Sequence, residues 1–462
     1  MHFQQAFRAA LERPVGTALI GCGAFGRSFL SQAVRSGGIC VLAAVDRDVD
    51  RVVAQCRADG LSARAITTPA DFNDAIAAGE IAVTSEPDLI LTGPTEMIVE
   101  ATGDAEFGAR VAAAAIAAGI GVTMATKEAE CVVGPLLARR ARAAGVPYTL
   151  VHGDQPALLI ALVTWCRLLG LPVVCAGKSS EYDYVWDQAN GTVTWTTLSG
   201  GDVNVCEAWP LSMPVDAALE RRARALSAFP MRTVADFCEM ALVANATGLL
   251  PDRPDFHAPL TRAIELPLIY RPRDHGGILL EAGRLDVFNC FRRSDETSFA
   301  GGVFAVVEWA DAASGELFAG KGIPTTTDGR YGLVYNPSHL LGVEAPLSVM
   351  AAARLGNTLV DDDYRPRVDM TAVAEADLRA GTELVISGDR HVVPDLAARL
   401  TPARRVAGAD APLPYYMAVG RTLVRDVAAG STLTLADVAC PSGSTLWRLR
   451  AEQDDAFALE TN

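Results

Sequence analysis

An α/β protein in three parts is predicted: a helix-flanked parallel sheet at the N-terminus, an α+β region in the middle, and a small β-rich unit at the C-terminus. Three observations predict it. Short apolar runs alternate with helix patterns through residues 1–155, and the first run ends in a glycine turn. After residue 171 the pattern turns more extended and alternating. Beyond Asp361, Asp362 and Asp363 the composition changes, and a glycine turn leading into an extended segment occurs twice, at Asp377–Leu384 and at Asp426–Leu433.

Taken in order, residues 1–14 read as one leading amphipathic helix ended by Pro14. The stretch Thr17–Arg47 then reads as strand, turn, helix, strand. Ala18–Ile20 is the first apolar run, Gly21, Cys22 and Gly23 form the turn, and Phe25, Phe29 and Val34 mark the helix. Val41–Val45 is the second run, and Asp46 ends it. This is the dinucleotide-binding (Rossmann) pattern. Gly21 permits the tight turn, and Gly23 lets a pyrophosphate approach the backbone and the helix N-terminus. Ala24 and Phe25 follow in the helix's first turn, and Gly26 allows close helix–strand packing. Asp46 stands where an acid reaches the adenosine ribose of NAD, and Arg47 suits the 2′-phosphate of NADP, so the fingerprint does not choose between them. The plainer alternative is a glycine turn in a nucleotide-free core. The agreement of strands, helix and acid argues against it.

Val49–Asp59 and Pro69–Ala78 read as helices, the second capped by Thr68. Ile81–Val83, Leu89–Leu91 and Ile98–Glu100 read as strands. Thr102 and Gly103 follow the last of these, where small residues admit the nicotinamide side of a cofactor. Gly121–Ala125 is the next strand, and Lys127 stands just outside its carboxyl end, where an ammonium can meet cofactor, substrate oxygen or phosphate. His152-Gly-Asp-Gln-Pro156 precedes the helix Ala157–Leu169. Asp154 and Gln155 are candidates for either helix cap or substrate contact.

The strand Leu171–Ala176 leads into Lys178, Ser179, Ser180, Glu181, Tyr182 and Asp183. Lys178 can neutralise a substrate oxygen or phosphate. Glu181 and Asp183 share side parity if extended, so they can act as an acid–base pair or as a weak Mg²⁺ or Mn²⁺ site. Val193–Thr197 and Val203–Ala208 read as strands of a mostly antiparallel second sheet, with Glu207 near the end of one. Val215–Ser227, Thr233–Ala246 and Ala345–Leu355 read as helices, the last packing back on the first domain. Val303–Glu308 and Tyr331–Tyr335 are strands, and Arg292 and Arg293 are a candidate phosphate pair or two solvated arginines.

The formal charge of −15, from 40 basic and 55 acidic residues, argues against a nucleic-acid binder, while a local basic pocket for an anionic substrate stays open. The 10 cysteines show no metal or disulfide spacing and read as reduced thiols. With no signal-peptide core and no long apolar run, a cytoplasmic, non-membrane protein is expected.

The fingerprint together with Glu100-Ala-Thr-Gly103, Met124-Ala-Thr-Lys-Glu-Ala-Glu130, His152–Pro156 and Ala176-Gly-Lys178 resembles the homoserine dehydrogenase-like oxidoreductases with a C-terminal SAF domain. Within them the chain is similar to the 1-deoxy-D-xylulose 5-phosphate reductoisomerase-like (DRL) enzymes. That resemblance implies an NAD(P)-binding Rossmann domain (1–155), a catalytic and dimerisation domain (156–360) and an SAF-like domain (361–462). It also implies NADPH-linked rearrangement and reduction of a ketose phosphate with a divalent metal, and a homodimer or homotetramer. Lys127 matches the lysine lining the homoserine dehydrogenase reaction site. The GYAEA-type segment is absent, which argues against homoserine oxidation, and Ser179-Ser180 departs from the family's AGKG run.

The resulting expectation is an NAD(P)-dependent oxidoreductase acting on a small, oxygenated substrate. Lys127, Lys178, Glu181, Asp183 and Glu207 are its candidate catalytic residues, and Asp154, Gln155, Lys178 and Ser179 its substrate contacts. A hydroxy-acid or amino-alcohol dehydrogenase and a non-catalytic dinucleotide sensor or scaffold are the alternatives.

Overall fold

The structure, a computed structural model, describes residues 2–200, 205–387 and 392–461. Two short helices, α1 (Phe3–Ala6) and α2 (Arg8–Glu12), replace the single leading helix expected from the sequence. The first sheet comprises β1 (Val15–Ile20), β2 (Ile39–Val45), β3 (Ala63–Ala65), β4 (Ile81–Thr84), β5 (Met97–Glu100), β6 (Gly121–Met124) and β7 (Tyr148–Leu150). Their order is β3-β4-β2-β1-β5-β6-β7, and every pairing is parallel. The helices α3 (Ala24–Ala33), α4 (Val49–Ala58), α5 (Pro69–Ala77), α6 (Pro87–Ile90), α7 (Ala105–Ala117) and α8 (Lys127–Ala144) connect them. Because helices cover both faces, β1, β4, β5 and β6 are buried along their whole length, which explains why they read as plain apolar runs.

Leu89–Leu91, expected as a strand, belongs instead to the end of α6. Pro87 in its first turn seeds a helix, and Ile90 is its buried apolar anchor. Thr68 does cap α5, in a reciprocal capping box with Asp71. The order of strands reverses between β1 and β5, so a crevice opens at their carboxyl ends.

Gly21 and Gly26 make that crevice possible. Gly21 has φ +92°, and a Cβ there would lie 2.5 Å from the Ala101 carbonyl oxygen. A Cβ on Gly26 would stand 2.1 Å from the carbonyl oxygen of Gly21. Gly26→Ala therefore forces turn and helix apart. It is expected to cost at least about 1–3 kcal/mol, read as a lower urea midpoint, and to weaken dinucleotide binding.

The middle region begins with α9 (Gln155–Leu168) and the long strand β8 (Val173–Asp187), followed by β9 (Thr192–Trp195) and β10 (Leu198–Gly200). Next come α10 (Val205–Ala208), α11 (Val215–Ala225), α12 (Val234–Thr247), β11 (Leu250–Pro251), β12 (Leu260–Thr261), α13 (Leu266–Ile269) and β13 (Arg284–Arg293). The region closes with β14 (Val303–Glu308), α14 (Ala312–Gly320), β15 (Tyr331–Asn336) and α15 (Ala345–Leu355). Its sheet is mixed. β8 pairs antiparallel with β9 and β14, but its other neighbour, β13, runs parallel to it. The expected strand Val203–Ala208 is helical at 205–208, and 203–204 lie outside the described residues. Helix α15 packs on the first sheet, burying Ala345, Val349 and Met350 against its Val15 and Leu19 side.

Helix α12 is buried almost all round, wedged among α8, α9, β16 (Val368–Ala374) and β17 (Leu396–Pro402). The remaining helices are α16 (Tyr415–Ala418) and α17 (Thr445–Ala456), and α17 packs on α7 and α8. In the C-terminal unit the two repeated turns pair with each other. Leu378 and Val427 exchange both backbone hydrogen bonds, at 2.8 and 2.9 Å. The Asp377 carboxylate accepts from the Ala429 N–H, and that of Asp426 from the Ala380 N–H, both at 2.9 Å. The repetition seen in the sequence is thus a reciprocal contact in space.

Candidate active site

The crevice at the glycine turn is a cavity of about 380 Å³, and Gly21, Gly23, Asp46, Arg47, Arg51 and Thr102 are among its lining. Gly23 precedes α3, and nothing lies within 4 Å of where its Cβ would stand, so the helix N-terminus is open to a bulky anion. Ala24, Phe25, Gly26 and Gly103 are not among the cavity's lining residues. Gly26 and Phe25 serve packing, and the Gly103 N–H donates to Thr126 Oγ1 at 3.0 Å.

Asp46 is tied down. One carboxylate oxygen accepts from the Cys22 N–H at 2.9 Å and meets Arg51 at 3.0 Å, and the other accepts from the Asp48 N–H at 3.0 Å. Burial opposes its ionisation, but these bonds hold its pKa below the usual carboxylate value. Arg51, which the sequence reading passed over, is thereby placed beside Asp46, the acid expected to reach the ribose.

The carboxyl end of β5 links this cavity to a second set of groups. Thr102 donates its N–H and its hydroxyl to Glu100 Oε1, at 3.1 and 2.6 Å. Gly103 reaches Thr126, the residue before α8, and Lys127 is the first residue of that helix. Its ammonium lies 2.5 Å from Glu239 Oε1 and 3.4 Å from Asp154. On the far side of Glu239, Lys178 contacts the same carboxylate and stands 2.8 Å from Asp236 Oδ1. Ser180 donates to Asp236 Oδ2 at 2.7 Å. Two lysines and three carboxylates therefore converge from α8, α9, β8 and α12.

Lys178 is 3% exposed and Glu239 4%, so the pairing sets their protonation. Burial opposes charge on each, but the mutual attraction prevails. It brings Glu239 down to about 2 and lifts Lys178 to about 12 and Lys127 well above its ordinary value. Both lysines are ammonium ions at neutral pH. They can donate hydrogen bonds and stabilise negative charge, but they cannot act as general bases.

Asp154 caps α9 through the Gln155 N–H at 2.9 Å, which is one of the two roles expected of it, and its carboxylate also faces the Lys127 ammonium. Gln155 donates from its side chain to the Ser179 carbonyl at 3.0 Å, and the Ser179 hydroxyl turns to the Ser180 carbonyl. The remaining sequence candidates do not join the cluster. Glu181 is exposed. Asp183 is held by Arg292 and by Ser298 Oγ, both at 2.8 Å, because alternation along β8 sends it to the face opposite Ser180. Glu207 is exposed on α10. Glu181 and Asp183 thus form no pocket for a cation, and among the described residues no group of three or more His, Cys, Asp or Glu side chains is arranged to hold one. The carboxylates that do converge already take lysine ammoniums.

Asp236 and Glu239 were missed. Their signal was available: two acids three residues apart on the otherwise apolar helix Val234–Thr247, hence on one face.

Residues 153–345 match the family model described as oxidoreductase DRL, catalytic domain. The match covers less than half of the chain and shows that this stretch is similar to that catalytic domain. No curated protein matches the chain. Among solved structures, 1-deoxy-D-xylulose 5-phosphate reductoisomerase from Zymomonas mobilis, in complex with NADPH, is 21% identical over 37% of this chain and 46% of its own, with a TM-score of 0.27. The WlbA dehydrogenase from Bordetella pertussis, in complex with NADH and UDP-GlcNAcA, is 16% identical over 38% and 50%, at 0.27. A putative oxidoreductase, yvaA from Bacillus subtilis, is 12% identical over 75% and 90%, at 0.33. The alignment with the reductoisomerase spans less than half of that protein's length. Among the described residues no helix is long and apolar enough to cross a membrane.

Proposed function

We propose that the protein is an NAD(P)-dependent oxidoreductase of the DRL type, reducing or oxidising a small oxygenated substrate such as a ketose phosphate. The observation that carries this reading is the direct structural path from the cofactor-shaped cavity, through Thr102, Gly103 and Thr126, to the Lys127 ammonium. A nicotinamide bound there supplies or accepts hydride. The chain's own part is to hold a substrate carbonyl or alkoxide oxygen against Lys127, whose fixed charge stabilises the oxyanion. Glu239 and Asp154 aim that ammonium, and Lys178 and Asp236 brace Glu239 in turn. The C-terminal unit, with its two reciprocal turns, is read as an SAF-like module.

The test is a screen of hydroxy acids, aldehydes and ketose phosphates, following NADH and NADPH absorbance with and without Mg²⁺ or Mn²⁺. Lys127→Ala is expected to lower kcat about 10²–10³-fold while leaving dinucleotide affinity intact. Unchanged turnover removes Lys127 from the mechanism, and failure of the wild type to bind either dinucleotide sinks the reading. Arg51→Ala, measured alongside, is expected to weaken NADPH more than NADH.

A further inference from the structure

Three buried carboxylates of this protein, those of Glu239, Glu265 and Asp369, each have an ammonium or guanidinium nitrogen within 2.7 Å. Glu100, at the carboxyl end of β5, is more deeply buried, with 0% exposure, yet among the described residues it forms no ion pair. Its Oε1 accepts from the N–H and the hydroxyl of Thr102, while Oε2 has no hydrogen-bond partner. Gly108 of α7 closes over that second oxygen, where a Cβ would stand 2.8 Å away. A carboxylate taken out of water without a cation is costly, so such a group keeps its proton until a positive charge arrives.

The elements packed around Glu100 do not bring that charge. Its partners on β1 and β6 are Ile20 and Met124, both apolar, and α7 presents Gly108. From α8, the Glu128 carboxylate opposes ionisation further. From β7, Tyr148 stays neutral and directs its hydroxyl to Glu130. The Lys127 ammonium is taken by Glu239 and Asp154. The Thr102 and Thr126 hydroxyls favour the charged form but carry no charge themselves. A ligand can supply it, because Thr102 bonds Glu100 at 2.6 Å and also lines the cavity at the glycine turn. Of the two forms of a nicotinamide dinucleotide, the oxidised one has a cationic ring and the reduced one a neutral ring.

We propose that Glu100 senses the redox state of the dinucleotide, giving its proton to solvent when the oxidised form binds and keeping it when the reduced form binds. This rests on the reading above, in which the nicotinamide lies beside Thr102 and Gly103. Glu100 acts by its field, one side chain removed from the cavity, and touches no reacting atom. The Thr102 hydroxyl on the cavity wall is the route by which its proton exchanges with water, and only the carboxyl O–H bond breaks. The oxidised form therefore binds more tightly, relative to the reduced form, as pH rises. Burial lifts the carboxyl's pKa to about 7, so the change falls between pH 6 and pH 8.

The test is calorimetric titration of the full-length protein with the oxidised and reduced forms of NADP and of NAD, at pH 6, 7 and 8, in two buffers of different ionisation enthalpy. Groups common to both forms, the 2′-phosphate included, cancel in the comparison. In the wild type, Kd for the oxidised form relative to the reduced form is expected to fall about three- to tenfold from pH 6 to pH 8. At pH 7 the oxidised form is expected to release about half a proton more than the reduced form. Glu100→Gln, whose amide oxygen can still accept from Thr102, is expected to hold the ratio within about twofold and to abolish the difference in proton release. The two wild-type readouts decide the matter even if the variant does not fold. A wild-type ratio that does not move, equal proton release by the two forms, or an unaltered pH dependence in Glu100→Gln overturns the sensor and leaves dinucleotide binding standing. Binding of neither form by the wild type refutes the oxidoreductase reading and the sensor with it.

Discussion

Glu239→Ala is expected to destabilise the protein by about 3–5 kcal/mol and to abolish measurable turnover. Breaking a buried ion pair from one side leaves the partner's charge desolvated and uncompensated, and Glu239 serves two ammoniums at once. Asp154 at 3.4 Å and Asp236 at 2.8 Å keep partial hold of Lys127 and Lys178, which places the expected cost toward the lower end of that range. Urea unfolding measures it. Lys178→Met in the Glu239→Ala background removes one stranded charge, so the double variant should be less destabilised than the sum of the singles, with a coupling of about 0.5–3 kcal/mol. Simple additivity would show that the lysines and carboxylates do not act as a unit. The acid limb gives a second readout. Glu239 has its folded pKa lowered from 4.5 to about 2, so its stabilisation is complete above 4.5 and disappears as pH falls toward 2. Glu239→Gln is expected to flatten that part of the stability profile.

The N-terminal sheet was legible because local and global signals agree there. β1 and β5 are apolar runs buried on both faces, β2 is buried from Leu42 to Val45, Gly21 and Gly26 sit where any Cβ collides with backbone, and Asp46 stands at the end of β2. The candidate active site was legible only in part. Lys127 and Asp154 follow strands of that readable sheet, so their place was inferable. Asp236 and Glu239 reach the same point from α12, with Glu239 112 residues beyond Lys127, and only tertiary packing delivers them. The sequence pointed instead to Glu181 and Asp183, next to Lys178. Period-two alternation carries Asp183 away from Lys178 and Ser180, and Arg292 from β13 claims it. Nearness in sequence was the wrong guide on a strand, and α12 offered the better one in the helical spacing of its two acids.

Glu130→Gln is expected to raise stability at pH 8 by about 1–3 kcal/mol and to change it little at pH 5. Glu130 is fully buried, accepting from Tyr364 at 2.6 Å and also from Tyr148, which joins α8 and β7 to the segment leading into the C-terminal unit. Burial raises its pKa to about 7, with the two tyrosine hydroxyls opposing. Glu100, equally buried beneath Thr102, is also raised to about 7 by burial against its threonine bonds. The sign follows from these values. A carboxyl with a folded pKa of about 7 and an ordinary value of 4.5 keeps its contribution whole below 4.5 and loses it as pH rises through 7. Over that window each group costs about 3 kcal/mol, from about 1.4 kcal/mol per pKa unit. A glutamine stays neutral and forgoes the loss. His152 works in the opposite sense, since burial lowers its pKa and acid must charge it. The wild-type slope alone therefore mixes the two effects, and the difference between wild type and Glu130→Gln at each pH isolates the carboxyl. Glu100→Gln should behave alike, because its amide oxygen can still accept from Thr102. If both variants track the wild type from pH 5 to pH 8, these acids are not held neutral in the fold.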